Sequence, residues 1–342
     1  MNKQHKLYKE DIEWILSVNG MERLHGSCFL ITGATGLIGV PMIDALMSMG
    51  DVRVIAVGRD RSKAQERLGE YFGLDRFTFL EHDVCEAFDA DALPARPDVV
   101  VPLASMTHPL AYSQYPVETL LVNIRGAEHA LRLAVQSNAT VLYPSTVEIY
   151  GNARGEDVFS EDYTGGLNLA NARSCYPESK RTCEALCQSF MAEQGVTVKI
   201  VRLSRVFGPT ILQSDSKASS QFLRNAVAGQ DIVLKSPGEQ YFSYTYVADA
   251  VAAMFHVLLH GLAGVPYNIS NPDCDVRLRD FAAFCADFNG KSVVFDLPSA
   301  AESRGFSIAS RAILDGSRLR DIGFSARFPI ADAIRRTIEQ LR

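Results

Sequence analysis

The chain has no uninterrupted apolar run approaching the roughly 18 residues that a membrane-spanning helix requires. Its first residues, Met1 to Asp11, are polar and hold no signal-peptide core. Paired cysteines are missing as well: there are seven, an odd number with no CxxC, the pattern of reduced thiols rather than of a disulfide scaffold. These absences make a cytoplasmic chain with no membrane partner the expectation. Basic charge is not in excess, with 34 Lys and Arg against 40 Asp and Glu, which argues against nucleic acid as the main partner. Internal repeats and low-complexity tracts are lacking too. What is present is an ordinary globular composition over 342 residues, enough for one large domain or two fused ones.

Apolar periodicity alternates between strand and helix. A helix is expected from about Glu10 to Asn19, then strand Cys28–Thr32 and a helix through Met42, Ile43, Leu46 and Met47 that Gly50 closes. Strand Val52–Val57, helix Lys63–Tyr71, strand Thr78–Leu80 and strand Asp98–Leu103 follow. Helix Val117–Gln136, strand Thr140–Tyr143, helix Tyr176–Glu193 and strand Val196–Leu203 continue the pattern. Later runs read as helices Phe222–Ala228, Tyr246–Leu259, Arg279–Phe288 and Ile330–Leu341, with Val293–Leu297 strand-like. Seven strand-like runs separated mostly by helices imply an α/β fold: a doubly wound parallel Rossmann sheet with a smaller mixed C-terminal substrate lobe. The expected division is a partly helical extension at 1–26, a dinucleotide-binding domain at 27–208 and a mainly substrate-binding lobe at 209–342. Some elements of that last part are expected to pack back on the first domain.

Thr32-Gly33-Ala34-Thr35-Gly36-Leu37-Ile38-Gly39 joins the first strand to the first long helix. Gly33 suits a tight turn, Gly36 a close approach of backbone to phosphate, and Gly39 close helix–strand packing. Amides at the start of the helix would face a diphosphate, so Thr35, Leu37 and Ile38 join the glycines as cofactor-binding candidates. The strand before and the helix after supply the context that the glycine pattern alone lacks. Asp83, with Val84 beside it, is placed to accept a hydrogen bond from an adenine amino group. The dinucleotide is NAD or NADP. After the second strand the chain reads Gly58-Arg59-Asp60, with glycine where a carboxylate would grip the ribose hydroxyls of NAD. Arg59 suits the extra phosphate of NADP, although Asp60 can still turn inward.

Tyr176-Pro177-Glu178-Ser179-Lys180 sets a phenol and an ammonium four positions apart, on one helical face. The ammonium favours phenolate and can hold a nicotinamide ribose hydroxyl, so Tyr176 is the expected proton acceptor for a substrate alcohol. Thr146 follows the apolar strand at its carboxyl end, where open α/β sheets bind ligands. Its hydroxyl can stabilise developing oxygen charge, and Glu148 is the nearest acid. His256 and His260 stand four apart without the glutamate of HExxH, so packing is expected and no metal site. Cys183 and Cys187 are expected to pack.

The glycine loop, Thr146 and the Tyr176–Lys180 pair resemble the extended short-chain dehydrogenases/reductases, in particular the NAD-dependent epimerase/dehydratase family of nucleotide-sugar enzymes. The similarity runs over nearly the whole chain from Cys28. It implies cofactor contacts from Leu103, Ala104 and Ser105, with Pro102 in place of a usual histidine, and an Asn123 that supports the active-site helix. Leu103–Tyr112, Ser145–Gly151 and Arg173–Tyr176 resemble the UDP-glucuronate decarboxylase branch, with Glu148 at a glutamate implicated in its chemistry. Val147 stands where dehydratases of the family carry an aspartate. The implied substrate positions are Thr107, Thr146, Arg205, Phe242 and Arg277, and two of them depart from the family. Arg205 replaces a frequent asparagine, and Phe242 replaces the arginine that commonly meets the substrate diphosphate, so either Arg205 or Arg277 supplies the charge or the substrate differs from an ordinary sugar nucleotide. The implied function is NAD(P)-dependent epimerisation of a nucleotide-linked sugar through a transient 4-keto intermediate. Decarboxylation is the alternative, followed by 4,6-dehydration, small-carbonyl reduction and non-catalytic dinucleotide binding. A homodimer is implied through the helices at Val117–Gln136 and Tyr176–Glu193.

Overall fold

A computed structural model describes residues 2–107, 109–151, 158–296 and 310–342. The first half alternates α1 (Lys6–Leu16), β1 (Cys28–Thr32), α2 (Gly39–Ser48), β2 (Arg53–Gly58), α3 (Arg61–Leu68), β3 (Phe77–Glu81) and β4 (Val99–Pro102). It continues with α4 (Pro109–Gln114), α5 (Pro116–Ser137), β5 (Thr140–Thr146), α6 (Cys175–Gln194) and β6 (Thr197–Leu203). The remainder contains β7 (Arg205–Phe207), α7 (Ala218–Val227), β8 (Ile232–Leu234), β9 (Tyr241–Tyr246), α8 (Val247–His260) and β10 (Pro266–Ile269). Last come β11 (Asp275–Arg277), α9 (Leu278–Asp287), β12 (Val293–Phe295), β13 (Arg311–Ala312), α10 (Ser317–Asp321) and α11 (Ile330–Leu341).

β1 shows why the sheet is covered on both sides. All five of its residues are buried. Phe29 and Ile31 join one apolar core with α2 and α8, whereas Cys28 and Leu30 join another with α5 and α6. Successive strand side chains point to opposite faces, so a strand buried on both faces must read as a continuous apolar run. The main sheet has seven strands in the order β10-β6-β5-β4-β1-β2-β3. Each neighbouring pair is parallel. The strand order reverses direction between β1 and β4, and the glycine loop leaves β1 at that switch point.

The seventh strand is β10, not the run near residue 293. Val293–Phe295 pairs instead with Ile232–Leu234 in a separate two-stranded sheet, and Leu297 lies outside the described residues. β10 was hidden because it is four residues long and opens on Pro266. A further small sheet is built on β9, which pairs with β7, β11 and β13. β9 too was absent from the periodicity reading, since its six residues, Tyr-Phe-Ser-Tyr-Thr-Tyr, run straight into the apolar helix α8. Ser204 alone separates β6 of the main sheet from β7 of the small one. Arg205 therefore stands where the chain passes from one sheet to the other.

The N-terminal helix is tied down through polar groups. Asp11 accepts from Arg336 Nη2 at 2.7 Å, from Gln340 Nε2 at 2.9 Å and from the Tyr246 hydroxyl at 2.6 Å. Asp249 accepts from Trp14 Nε1 and from the backbone amides of Arg327 and Phe328 at 2.9 to 3.0 Å. Asp249 thus anchors neighbouring segments rather than capping its own helix.

Candidate active site

The glycine loop is a cradle that side chains would fill. Gly33 has φ +63°, and a Cβ there would lie 2.8 Å from the Ala104 nitrogen. A Cβ on Gly39 would meet the Ala34 carbonyl oxygen at 2.6 Å, so the helix could not approach the loop as closely. Thr32 Oγ1 accepts from the Ala104 amide at 3.0 Å and holds the loop to the segment after β4. The first hydrogen bond into the helix runs from Val40 N to Gly36 O, leaving the amides of Leu37 and Ile38 ahead of the helical ladder. A dinucleotide diphosphate fits this donor set, and the shape test agrees with the chemistry.

From the cradle a cleft of about 1090 Å³ runs past Val84, Leu103, Ala104, Ser105 and Thr107 to Thr146 and Tyr176, then to Arg205 and Phe242. That exceeds the roughly 300–1,000 Å³ of a single small-molecule pocket and suits two ligands end to end. At its adenine end Arg59 is largely exposed, 3.8 Å from Asp83. Asp60 is occupied as the N-cap of α3, accepting from Lys63 N at 2.9 Å.

At the reacting end, parallel β5 delivers Thr146 at its last position, and Tyr176 stands in the first turn of α6. Burial pushes the Tyr176 phenol above its ordinary range and the Glu148 charge pushes it further, while the Thr146 hydroxyl, Arg173 and Tyr112 act in the opposite sense. Lys180 is buried behind the cleft wall, donating from Nζ to the Pro144 carbonyl at 2.9 Å; burial lowers its pKa. Asn123 also sits behind the wall. Its Oδ1 accepts from Ser105 Oγ at 2.6 Å, and its Nδ2 donates to Ser179 Oγ at 2.8 Å. Ser179 Oγ donates to the Tyr176 carbonyl at 2.7 Å, so a three-link chain ties the cleft lining to the start of α6.

Two wall residues lie at the ends of segments singled out in the sequence but carry no assigned role there. Tyr112, almost fully buried, stacks on Tyr176 with ring centroids 4.7 Å apart and planes 18° apart. Arg173 places its guanidinium carbon 4.4 Å from the Tyr112 ring centroid and donates from Nη2 to both carboxylate oxygens of Glu148 at 3.1 and 2.9 Å. The signal for both was the resemblance of Leu103–Tyr112 and Arg173–Tyr176 to the decarboxylase branch, which marked the segments without saying what these two side chains touch. The substrate candidates separate. Thr107, Thr146, Arg205 and Phe242 line the cleft, and Arg277 does not. On β11 Arg277 pairs with Tyr241 while Val276 pairs with Phe242, so strand alternation sends Arg277 to the face opposite Phe242. There it is half-exposed and 3.5 Å from Glu239.

The histidine pair is used elsewhere. His256 Nε2 lies 2.8 Å from the Ile322 carbonyl and His260 Nε2 lies 2.7 Å from that of Asn19. Among the described residues no group of three or more His, Cys, Asp or Glu is gathered as for a metal ion. No described helix is long and apolar enough to cross a membrane.

Comparison with known proteins agrees with the geometry. Residues 29–270 match the NAD dependent epimerase/dehydratase family. UDP-glucuronic acid decarboxylase 6 of Arabidopsis thaliana is 32% identical over 243 residues, 71% of this chain and 69% of that protein. The structure of UDP-glucuronic acid 4-epimerase from Bacillus cereus, in complex with UDP-glucuronic acid and NAD, superposes with a TM-score of 0.79 at 19% identity. It covers 92% of this chain and 98% of its own. dTDP-glucose 4,6-dehydratase from Streptomyces venezuelae, with NAD bound, superposes with a TM-score of 0.78 at 22% identity, covering 92% and 96%. At these identities the structural likeness carries the fold alone. The family match over most of the chain, with an intact glycine cradle at the switch point of the sheet, places this protein in the NAD-dependent epimerase/dehydratase family, as an NAD(P)-dependent enzyme that modifies nucleotide-linked sugars.

Proposed function

We propose that the enzyme epimerises a nucleotide-linked sugar through a transient 4-keto intermediate. The observation that carries this reading is the state of the groups beside Tyr176: Val147 offers no acid, and both carboxylate oxygens of Glu148 accept from Arg173 Nη2. That leaves a phenol and a threonine hydroxyl as the proton-transfer groups outside an ion pair, enough for alcohol oxidation and re-reduction but lacking the paired acids of water elimination. NAD or NADP held at the Gly33–Gly39 cradle would supply reversible hydride transfer at C4. Tyr176 takes the C4 hydroxyl proton as the ketone forms and gives it back when the alcohol is restored. Thr146 donates to the same oxygen, where charge develops. Lys180, one helical turn from Tyr176, braces the Pro144 carbonyl two residues before Thr146.

Decarboxylation is the second reading, favoured by the 32% identity to UDP-glucuronic acid decarboxylase 6 and by the retained Glu148. The enzyme is further proposed to work as a homodimer through α5 and α6. The apolar Tyr115, on the N-terminal side of α5, and Val117, in its first turn, are exposed, which supports a covered face there. The deciding experiment is incubation with UDP-, dTDP-, GDP- and CDP-sugars, neutral and acidic, read by mass and NMR. A product of unchanged mass and inverted carbon supports epimerisation. Loss of carbon dioxide replaces it with the second reading, and loss of water overturns both.

A further inference from the structure

Arg205 is a half-buried cation with no ion-pair partner among the described residues. Its guanidinium carbon lies 3.4 Å from the centroid of the Phe242 ring. Among the described residues its Nη1, shielded from solvent, has no hydrogen-bond partner. The nearest acid on this wall, Glu148, is already held by Arg173. A buried polar group left unsatisfied is costly and calls for an explanation, and here the unsatisfied group lines the cleft. Its placement is built into the fold. Ser204 turns the chain from one sheet to the other, β7 pairs with β9, and Arg205 stands opposite Tyr244, two residues from Phe242 on the same face. Phe242 is 4% exposed and cannot move aside, so its flat face fixes the plane of the guanidinium without consuming any of its N–H donors.

We propose that Arg205, held flat on Phe242, is the specificity-determining anion receptor of the substrate half of the cleft. Its ligand is a substrate oxyanion, either the diphosphate of the nucleotide or a carboxylate on the sugar. The inference rests on the nucleotide-sugar reading above but needs no turnover. A guanidinium takes an oxyanion through two parallel N–H donors, a geometry that the ammonium of lysine cannot reproduce. Phe242 therefore has a purpose distinct from apolar packing: it orients the fork.

The test is calorimetric titration of the NAD-loaded enzyme with the nucleoside diphosphate, among UDP, dTDP, GDP and CDP, that wild type binds, and with its neutral-hexose and uronic-acid conjugates. Arg205→Gln should weaken binding at least tenfold while NAD affinity stays as in wild type. Phe242→Leu, which keeps an apolar side chain but removes the flat platform, should show a smaller loss in the same ligands. Equal losses for all three ligands identify the diphosphate as the anion; a loss confined to the uronic-acid conjugate identifies the carboxylate. Unchanged substrate-side affinity in Arg205→Gln overturns the proposal. So does a parallel fall in NAD affinity, the mark of a structural role. If Arg205→Gln does not fold, Arg205→Lys carries the test, with several-fold weaker substrate-side binding and native NAD affinity expected and unchanged binding overturning it. Failure of wild type to bind any of the four diphosphates instead removes the nucleotide-sugar reading beneath it.

Discussion

Arg173 grips Glu148 through both carboxylate oxygens, at 3.1 and 2.9 Å, within the same wall that holds Tyr176. After burial, this pair is a main electrostatic influence on the Tyr176 phenol. Glu148 pushes Tyr176 up and Arg173 pulls it down, so the two substitutions should move the pH profile in opposite directions. Arg173→Gln leaves Glu148 uncompensated, and the limb of kcat/KM that reports phenolate should move to higher pH. Glu148→Gln should move it lower. Each unit of movement changes the reactive fraction at neutral pH by about tenfold. Loss of activity at every pH in Glu148→Gln would instead make Glu148 a direct proton-transfer residue.

Tyr176→Phe should retain the fold and NAD(P) binding but lower turnover by about 10²–10⁴-fold, because the phenylalanine has no proton to exchange. Fluorescence titration with reduced cofactor, alongside steady-state rates, checks both halves. A near-native rate excludes Tyr176 as the proton acceptor.

Thr146→Val keeps the branched shape and removes a hydroxyl that also accepts from the Glu148 amide at 3.3 Å. Turnover should fall by roughly a hundredfold, as for loss of one oxyanion donor, with only a small fall in Tm. A large fall in Tm with an unchanged rate per folded molecule would assign Thr146 to the turn alone.

Cofactor choice turns on β2. Asp60 is spent capping α3, and Arg59 is exposed beside Asp83, so NADP should bind at least as well as NAD. Arg59→Ala should weaken NADP more than NAD. Gly58→Asp should shift preference toward NAD by adding a hydroxyl acceptor and repelling the extra phosphate. It must first displace the Phe79 ring, which a Cβ at 58 would meet at 3.3 Å, so some loss of stability should accompany the shift. Affinities for both cofactors in stripped wild type and both variants check this; a strong wild-type preference for NAD refutes it.

Asp249→Ala should lower stability by about 2–3 kcal/mol, since three donors, one buried and two part-buried, lose their acceptor together. Urea unfolding measures this, and turnover per folded molecule should be unchanged. An unaltered midpoint would show that water replaces the carboxylate.

Local chemistry made part of this enzyme legible in advance. The Gly33–Gly39 turn, the Tyr176–Lys180 spacing and the strands buried on both faces each depend on backbone freedom or periodicity within a few residues, and the sheet core follows from them. Helix α11 begins and ends where its apolar period does, at Ile330 and Leu341. Contacts between distant segments left no such trace. Tyr112 meets Tyr176, Arg173 meets Glu148, and Arg205 meets Phe242 only because separate elements converge on one cleft. Arg277 illustrates the converse: charge alone made it a candidate, and pairing register with β9 turned it away. Four-residue β10 took its place in the main sheet through its pairing with β6, since so short a strand gains its order from the neighbour that completes its hydrogen bonds and not from its own periodicity.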